Sequence, residues 1–89
     1  HLLFRLSEER KERESLQEKL TVSEASEKYH LTKRESTILR MLMKGKDNNT
    51  ISEELQISVN TLKKHILNIY RKLNINNRVQ LFKMIKEKE

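Results

Sequence analysis

The feature that most constrains the fold is the regular spacing of four apolar residues within one stretch that lacks acidic residues. Leu62, Ile66, Ile69 and Leu73 fall at positions i, i+4, i+7 and i+11, which places them on one side of an α-helix. The chain holds no proline and a single glycine, and this composition favours helices over a turn-rich β fold. The sequence therefore predicts an all-α fold in which this helix turns its apolar stripe toward a core.

Capping signals place a first helix and the start of a second before this stripe. Thr32 and Glu35 form a T-x-x-E capping box, which predicts that a helix begins at Lys33. Gly45 is suited to the left-handed conformation that ends a helix. Asp47 is then the N-cap of a second, shorter helix.

Ser58 is the predicted N-cap of a third helix over residues 59–73, and Asn76 is the predicted N-cap of a fourth. The fourth helix carries four apolar residues: Val79, Leu81, Phe82 and Ile85. The pattern predicts a four-helix bundle in residues 30–89, with a helix-turn-helix at about 47–73.

Residues 1–29 differ in composition from the rest of the chain and form a charged N-terminal helix or linker. Leu2, Leu6, Leu16 and Leu20 fall on the a and d positions of one heptad frame. Two interpretations stay open, a weak coiled coil and a passive linker. The segment opens on His1 and a short apolar run, so we expect the chain to be a piece of a longer protein, with the end of an upstream helix or membrane span as one origin of that run.

The positive charge of the chain is concentrated in its second part. The whole chain carries a net +6 with a pI near 9.7, and no acidic residue occurs between Glu54 and Glu87. A concentrated positive segment is typical of proteins that bind nucleic acids. A solvated lysine-rich surface usually carries glutamates as well, so the missing acids favour a polyanionic partner.

The side of the third helix opposite its apolar stripe is basic and amide-rich. Its members are Asn60, Lys63, Lys64, Leu67, Asn68 and Arg71. A helix fits the major groove of B-DNA, where lysine can contact guanine or phosphate, asparagine can pair with adenine, and an apolar side chain can contact a thymine methyl. The physical pattern alone thus predicts a DNA-binding helical domain.

Other classes of function find less support in the sequence. Cysteine is absent, and the three histidines, His1, His30 and His65, are too scattered to suggest a zinc site. No glycine-rich phosphate loop, paired-carboxylate motif or nucleophile elbow occurs, so we expect no enzyme activity, metal, cofactor or small-molecule ligand. The alternative that stays open is a basic interaction module that binds an acidic protein or a membrane surface.

Several motifs in register carry a family resemblance. They are Leu31-Thr32-x-Arg34-Glu35, Ile38-Leu39-x-x-Leu42, Gly45-x-x-Asn48, Ile51-x-x-x-Leu55-x-Ile57-Ser58, Thr61-x-Lys63-x-His65-x-x-x-Ile69-x-x-Lys72-Leu73 and Asn77-Arg78-x-Gln80. With them the chain resembles the DNA-binding domain of the LuxR-type (GerE-like) bacterial transcription regulators. Capping, core and surface positions all take part in this match.

The resemblance implies a role for each surface position. It implies that Lys63, Lys64 and Leu67 face the major groove, and that Thr61, His65 and Arg71 contact phosphates or hold the helix in place. Asn48 joins the DNA-binding set through the Gly45-x-x-Asn48 match, and Asn60 and Asn68 through their place on the same face of the helix.

The resemblance also implies an assembly. Such domains commonly pair through the fourth helix on double-stranded DNA, so a homodimer is expected, with Leu81, Met84 and Ile85 as candidates for the contact. Leu16 and Leu20 of the heptad frame offer a second pairing surface. The resemblance further implies an upstream sensory or receiver domain and a cytoplasmic location, which includes the cytoplasmic tail of a membrane-anchored regulator.

Overall fold

The computed structural model of the protein describes residues 19–86. Its five helices are α1 (Val22–Lys28), α2 (Lys33–Met43), α3 (Asn48–Leu55), α4 (Val59–Leu73) and α5 (Arg78–Met84). Within this range no β-strand forms beyond one isolated bridge, and none of the helices has the length and apolar character needed to span a bilayer. The all-α prediction is confirmed, and α2 to α5 are the four predicted helices.

The predicted caps set the start of two helices. Thr32 Oγ1 accepts a hydrogen bond from the Glu35 backbone N–H with an N···O distance of 3.1 Å, and Glu35 Oε1 accepts one from the Thr32 backbone N–H at 2.9 Å. Helix α2 therefore begins at Lys33, as the T-x-x-E box predicts. The Ser58 hydroxyl likewise accepts from the Thr61 backbone N–H at 3.0 Å and caps α4.

The start of α5 is one residue later than predicted. The N-cap is Asn77, whose side-chain oxygen accepts from the Gln80 backbone N–H at 2.9 Å, so the prediction of Asn76 is wrong. Gln80 Oε1 in turn accepts from the Asn76 backbone N–H at 2.6 Å. Both asparagines could cap a helix. Only the Asn77 side chain reaches the N3 backbone N–H, and because the Gln80 side chain bonds the residue before the N-cap, the pair does not form the reciprocal bonds of a capping box.

Helix α1 is an element that the sequence pattern did not single out. Thr21 and Glu24 form a capping box at its start, so the T-x-x-E signal is present in the sequence. The side chains of Val22 and Ala25 are buried in the same core as those of the later helices. The folded unit therefore includes α1, which the predicted division after Tyr29 leaves out.

The residue Leu20 joins the N-terminal side of the domain to its C-terminal side. Its backbone N–H donates to the Met84 carbonyl at 2.9 Å, and the Lys86 N–H donates to the Leu20 carbonyl at 2.7 Å, around a parallel bridge to Ile85. Leu20 packs partly buried against the core of its own domain, a contact that the heptad frame did not predict. Leu16, its predicted heptad partner, lies outside the described residues.

Two of the three residues predicted for dimer contact near the C-terminus are buried in the core. Leu81 and Ile85 are 0% and 1% exposed, respectively, because they complete the core of the monomer. The expectation that they lie on the surface is wrong, and Met84 is only partly exposed. Val79, another apolar residue of α5, is 63% exposed.

Helix α4 occupies the centre of the bundle and packs against both α2 and α3, while α1 packs on α2. Of its predicted stripe, Leu62, Ile69 and Leu73 are buried and Ile66 is partly buried. The remaining core comes from every other helix: Val22, Ala25, Ile38, Leu39, Leu42, Met43, Ile51, Leu81 and Ile85. The core thus fixes which side of α4 can face outward.

One ion pair connects the start of α2 to the end of α4. Lys72 Nζ lies 2.6 Å from Glu35 Oε1 and 3.3 Å from the His30 carbonyl oxygen. Burial of the Glu35 carboxyl opposes its ionisation, but the hydrogen bonds from Lys72 and Thr32 outweigh this effect and lower the pKa of Glu35. The same carboxylate therefore caps α2 and anchors α4.

We expect Glu35→Gln to flatten the acid limb of the stability profile. The pKa of Glu35 is lower in the folded protein than in the unfolded chain, so its contribution is complete above about pH 5 and is lost as the pH falls through the folded-state pKa. Near neutral pH the substitution should lower the free energy of unfolding by about 1–3 kcal/mol, as for other hydrogen bonds to charged groups. Urea unfolding across acidic and neutral pH measures both effects.

The matched control is Glu54→Gln. Glu54 pairs with Lys46 at 2.7 Å, but its side chain is 42% exposed, so its loss should cost about 0–1 kcal/mol. Parallel pH profiles for wild type and Glu35→Gln would contradict the assigned role of the buried pair.

Candidate nucleic-acid interface

The outer face of α4 is a continuous polar surface on the side opposite the buried stripe. Each residue of an α-helix advances the side-chain direction by about 100°, which gathers the predicted positions into one arc. Those positions are Asn60, Lys63, Lys64, Leu67, Asn68 and Arg71, and all six are exposed. We call this set the α4 face, and the structure brings its members together as the sequence predicts.

An exposed leucine lies within this basic surface. Leu67 is 48% exposed, and the only other large hydrophobic residue in the described range with comparable exposure is Val79 on α5. On the helical wheel Leu67 lies between Lys63 and Arg71. The α4 face therefore offers cationic, amide and apolar groups side by side, the three chemistries by which base edges in the major groove are distinguished.

Not every cation of the acid-free segment is available at the surface. Lys72 is held by Glu35 and the His30 carbonyl, and Arg78 Nη2 donates to the Lys46 carbonyl at 3.3 Å. The family motifs include both residues, and their contacts here are structural. The cations left on the outer side of α4 are Lys63, Lys64 and Arg71, together with the half-buried His65 beside them.

The first turn of α4 is tightly held at its N-terminus. The Ser58 hydroxyl donates to Thr61 Oγ1 at 2.9 Å while accepting from the Thr61 backbone N–H. Thr61 is exposed, and its own hydroxyl proton stays available to an acceptor. This arrangement fixes the start of α4 and leaves the hydroxyl proton of Thr61 available to an acceptor outside the domain.

A sharp turn at Gln56 connects α3 to α4. Gln56 takes the left-handed conformation with φ 56° and ψ 46°, and the Ile57 backbone N–H donates to the Ser52 carbonyl at 3.0 Å. The bond from the residue after the left-handed position back into the last turn closes α3 as in a Schellman motif. The turn sets the direction in which α4 leaves, so it positions the α4 face.

Helix α3 supplies the remaining predicted position, Asn48. It is the first residue of the helix and is half-buried, so it lies on a different element from the α4 face. The preceding Asp47 caps the helix through a 2.8 Å hydrogen bond from the Thr50 N–H, and this bond holds the pKa of the Asp47 carboxyl below its usual value. The negative charge of Asp47 is thereby directed at the helix terminus.

The electrostatic setting of the α4 face is uniformly positive along its own helix. No acidic residue occurs anywhere from residue 55 to residue 86, and within residues 19–86 no group of three or more metal-ligating side chains comes together. Every buried side-chain nitrogen and oxygen in that range has a hydrogen-bond partner. The chemistry that the surface supports is therefore binding of an extended anion.

Comparison with family models gave a match to the bacterial regulatory proteins of the luxR family over residues 29–85. This range covers α2, α3 and α4 completely and ends just after α5. A comparison with solved structures gave no match.

Curated proteins of similar sequence carry regulatory names. The chain is 50% identical over 50 residues to the transcriptional regulatory protein LiaR of Bacillus subtilis, covering 56% of this chain and 24% of LiaR. It is 44% identical over 50 residues to the transcriptional regulatory protein DegU of Brevibacillus brevis, covering 56% and 21% of the two chains.

A third relative, an uncharacterised response regulatory protein YgeK of Escherichia coli, is 41% identical over 61 residues, covering 68% of this chain and 42% of YgeK. The match thus spans less than half the length of each of these three relatives.

We expect Gln56→Gly to raise the free energy of unfolding by about 0.5–1 kcal/mol. A residue with a Cβ atom in the left-handed region costs about 1–2 kcal/mol, and glycine removes that cost. Part of this gain is lost because glycine loses more conformational entropy on folding. Gln56→Val should lower it by about 1–3 kcal/mol, since a β-branched residue is strained there. Thermal and urea unfolding measure the differences.

Asn74→Gly is the control, because Asn74 is also left-handed but asparagine tolerates this region. Equal stability of all variants would contradict the left-handed turn.

Proposed function

Because this chain belongs to the luxR family of bacterial regulatory proteins, we propose that α4 is its recognition helix and reads the major groove of double-stranded DNA. The domain itself is a helix-turn-helix domain of DNA binding and transcription regulation. The observation that carries the proposal is the acid-free α4 face, which the burial of Leu62, Ile69 and Leu73 turns outward.

The three side chains Lys63, Lys64 and Leu67 contact base edges in this proposal. A lysine ammonium donates to the acceptors of guanine, and an exposed leucine contacts the methyl group of thymine. The amides of Asn60 and Asn68 complete the surface, because an asparagine side chain can donate to and accept from adenine. Sequence preference then comes from the combination of these groups along one helix.

The flanking residues bind the phosphate backbone and fix the register. Arg71 supplies a permanent positive charge, and the hydroxyl proton of Thr61 and a ring N–H of the half-buried His65 offer further donors. Asn48 lies at the N-terminus of α3, the helix that crosses the backbone in helix-turn-helix complexes. These contacts hold the α4 face in the groove without reading sequence.

The proposal also covers the full-length protein that contains this domain. Since the match covers less than half of each relative described above, we place a sensory or receiver domain upstream of the chain, in keeping with the response-regulator name of YgeK. The output is control of transcription in the cytoplasm, without catalysis by the domain itself. Two copies acting together on DNA complete the proposal.

We expect Lys64→Ala to weaken binding to a preferred duplex by about 1–3 kcal/mol, while binding to a scrambled duplex falls much less, because a base contact is specific and a phosphate contact is not. A duplex selected by the protein from a random library serves as the preferred site, and fluorescence anisotropy at several salt concentrations gives both affinities.

The control for this test is Lys33→Ala, which removes an exposed lysine at the start of α2, outside the α4 face. It should change both affinities by no more than the loss of one distant charge. An equal loss on both duplexes for Lys64→Ala would show that Lys64 contacts only phosphate.

Pairing on DNA is expected to use the exposed part of α5. One domain covers a single half-site, and one half-site gives too little discrimination within a genome. Val79 is 63% exposed, so it can meet its counterpart in a second copy, with recognition helices about 34 Å apart on the duplex. Val79→Asp should therefore abolish cooperative binding of the second copy to a palindromic site while leaving half-site affinity unchanged.

The matched control is Thr37→Asp, which adds the same charge at an exposed position of α2. Electrophoretic mobility of one-copy and two-copy complexes on full and half sites separates the two effects. Unchanged cooperativity in Val79→Asp would rule out α5 as the pairing surface.

A further inference from the structure

A cleft of about 820 Å³ lies between α1 and α5, at the C-terminal end of α4. Among the residues of α4 and its caps, only Asn74 lines it, and no member of the α4 face does. An α-helix has about 3.6 residues per turn, so the centre of the α4 face lies about two turns from this end, while Arg71, its last member, lies within one turn of Asn74. The cleft is therefore a second surface, distinct from the proposed DNA contact.

The rim of the cleft is strongly positive. Lys19, Lys28, Lys83 and Lys86 line it, all four are exposed, and none forms an ion pair with another residue in the described range. The one acidic residue of the lining, Glu24, accepts a 3.0 Å hydrogen bond from the Thr21 backbone N–H as part of the cap of α1. Among residues 19–86, the charged residues of the lining therefore carry a net charge of +3, from four lysines and one glutamate.

Polar groups make up most of the cleft lining, but three apolar residues form a patch that we call its floor. Leu20, Ile75 and Met84 line it, and each packs partly buried against the core, with the rest of its surface turned outward. The Leu20 backbone is fixed by its bonds to Met84 and Lys86, so the floor is a preformed part of the fold. The cleft thus combines a fixed apolar floor with exposed cationic side chains at its edge.

This combination discriminates among anionic partners. A small anion is bound by convergent donors, whereas these lysines are exposed around an open rim, and no buried polar side chain within residues 19–86 lacks a partner. A DNA backbone would satisfy the lysines but would leave the apolar floor unused. An acidic segment with apolar side chains on one face satisfies both, as in the recognition of amphipathic helices by grooves.

We propose that this cleft is a docking site for an acidic, amphipathic segment of a partner protein. Glutamate or aspartate side chains of the partner pair with the rim lysines, and its apolar side chains cover Leu20, Ile75 and Met84. The domain would then bind DNA through α4 and a protein through the α1–α5 cleft at the same time. This proposal does not depend on which DNA sequence α4 reads.

The test uses the full chain and a synthetic helical peptide of glutamate and leucine, roughly four turns long, with leucines at helical spacing on one face. We expect the double substitution of Lys83→Glu and Lys86→Glu to weaken peptide binding at least tenfold and to change DNA binding by no more than about twofold. The matched control is Lys63→Glu with Lys64→Glu on the α4 face, which should do the reverse. Circular dichroism melting of each variant verifies folding.

A second peptide, with each leucine replaced by serine, tests the apolar floor. Its affinity should be roughly tenfold lower than that of the leucine peptide, and NMR amide shifts caused by the leucine peptide should centre on Leu20, Ile75 and Met84. Equal affinity of the two peptides would overturn the proposal in favour of a general polyanion surface. A large loss of DNA binding in the Lys83→Glu, Lys86→Glu variant, with peptide binding unchanged, would overturn it in favour of a DNA contact.

Discussion

The burial of one side of α4 is the constraint on which the remainder of the domain depends. Its stripe completes the core between α2 and α3, and the same burial directs the α4 face outward. The Glu35–Lys72 pair then fixes the far end of the helix against the start of α2. The apolar packing and this ion pair together fix the rotation of α4 about its own axis. They therefore also fix the direction in which the α4 face points.

The parts of the fold that could be predicted from the sequence are those governed by local signals. Capping residues act on backbone groups two or three positions away, so Thr32, Asp47 and Ser58 determine the starts of α2, α3 and α4 without reference to the rest of the chain. The stripe of α4, from Leu62 to Leu73, spans about three turns, which is long enough to define one side. The same T-x-x-E logic applied at Thr21 would have predicted α1.

The parts that could not be predicted depend on long-range contacts. Helix α5 has only two turns, and its apolar residues surround most of its circumference, so periodicity could not decide that Leu81 is buried while Val79 is exposed. The sequence likewise could not distinguish Lys64, which is unpaired within residues 19–86, from Lys72, which pairs with Glu35, because Glu35 lies 37 residues away from Lys72. The sequence therefore predicted which kinds of side chain lie on the outer side of α4. It predicted only in part which lysines of this helix are unpaired in the described part of the chain and can bind a partner.

The bridge at Leu20 has a consequence for how the chain is connected. Leu20 and Lys86 are hydrogen-bonded to each other near opposite ends of the described range, so the backbone between them runs in a nearly closed ring around the core. A short peptide joining residue 86 to residue 20 would add little closure entropy. The chain could then be opened at the exposed Gly45, between α2 and α3. Circular permutation succeeds mainly at exposed loops of this kind. Helix α4 would keep its buried side and its outer side under either order of the chain, because packing, not connectivity, defines them.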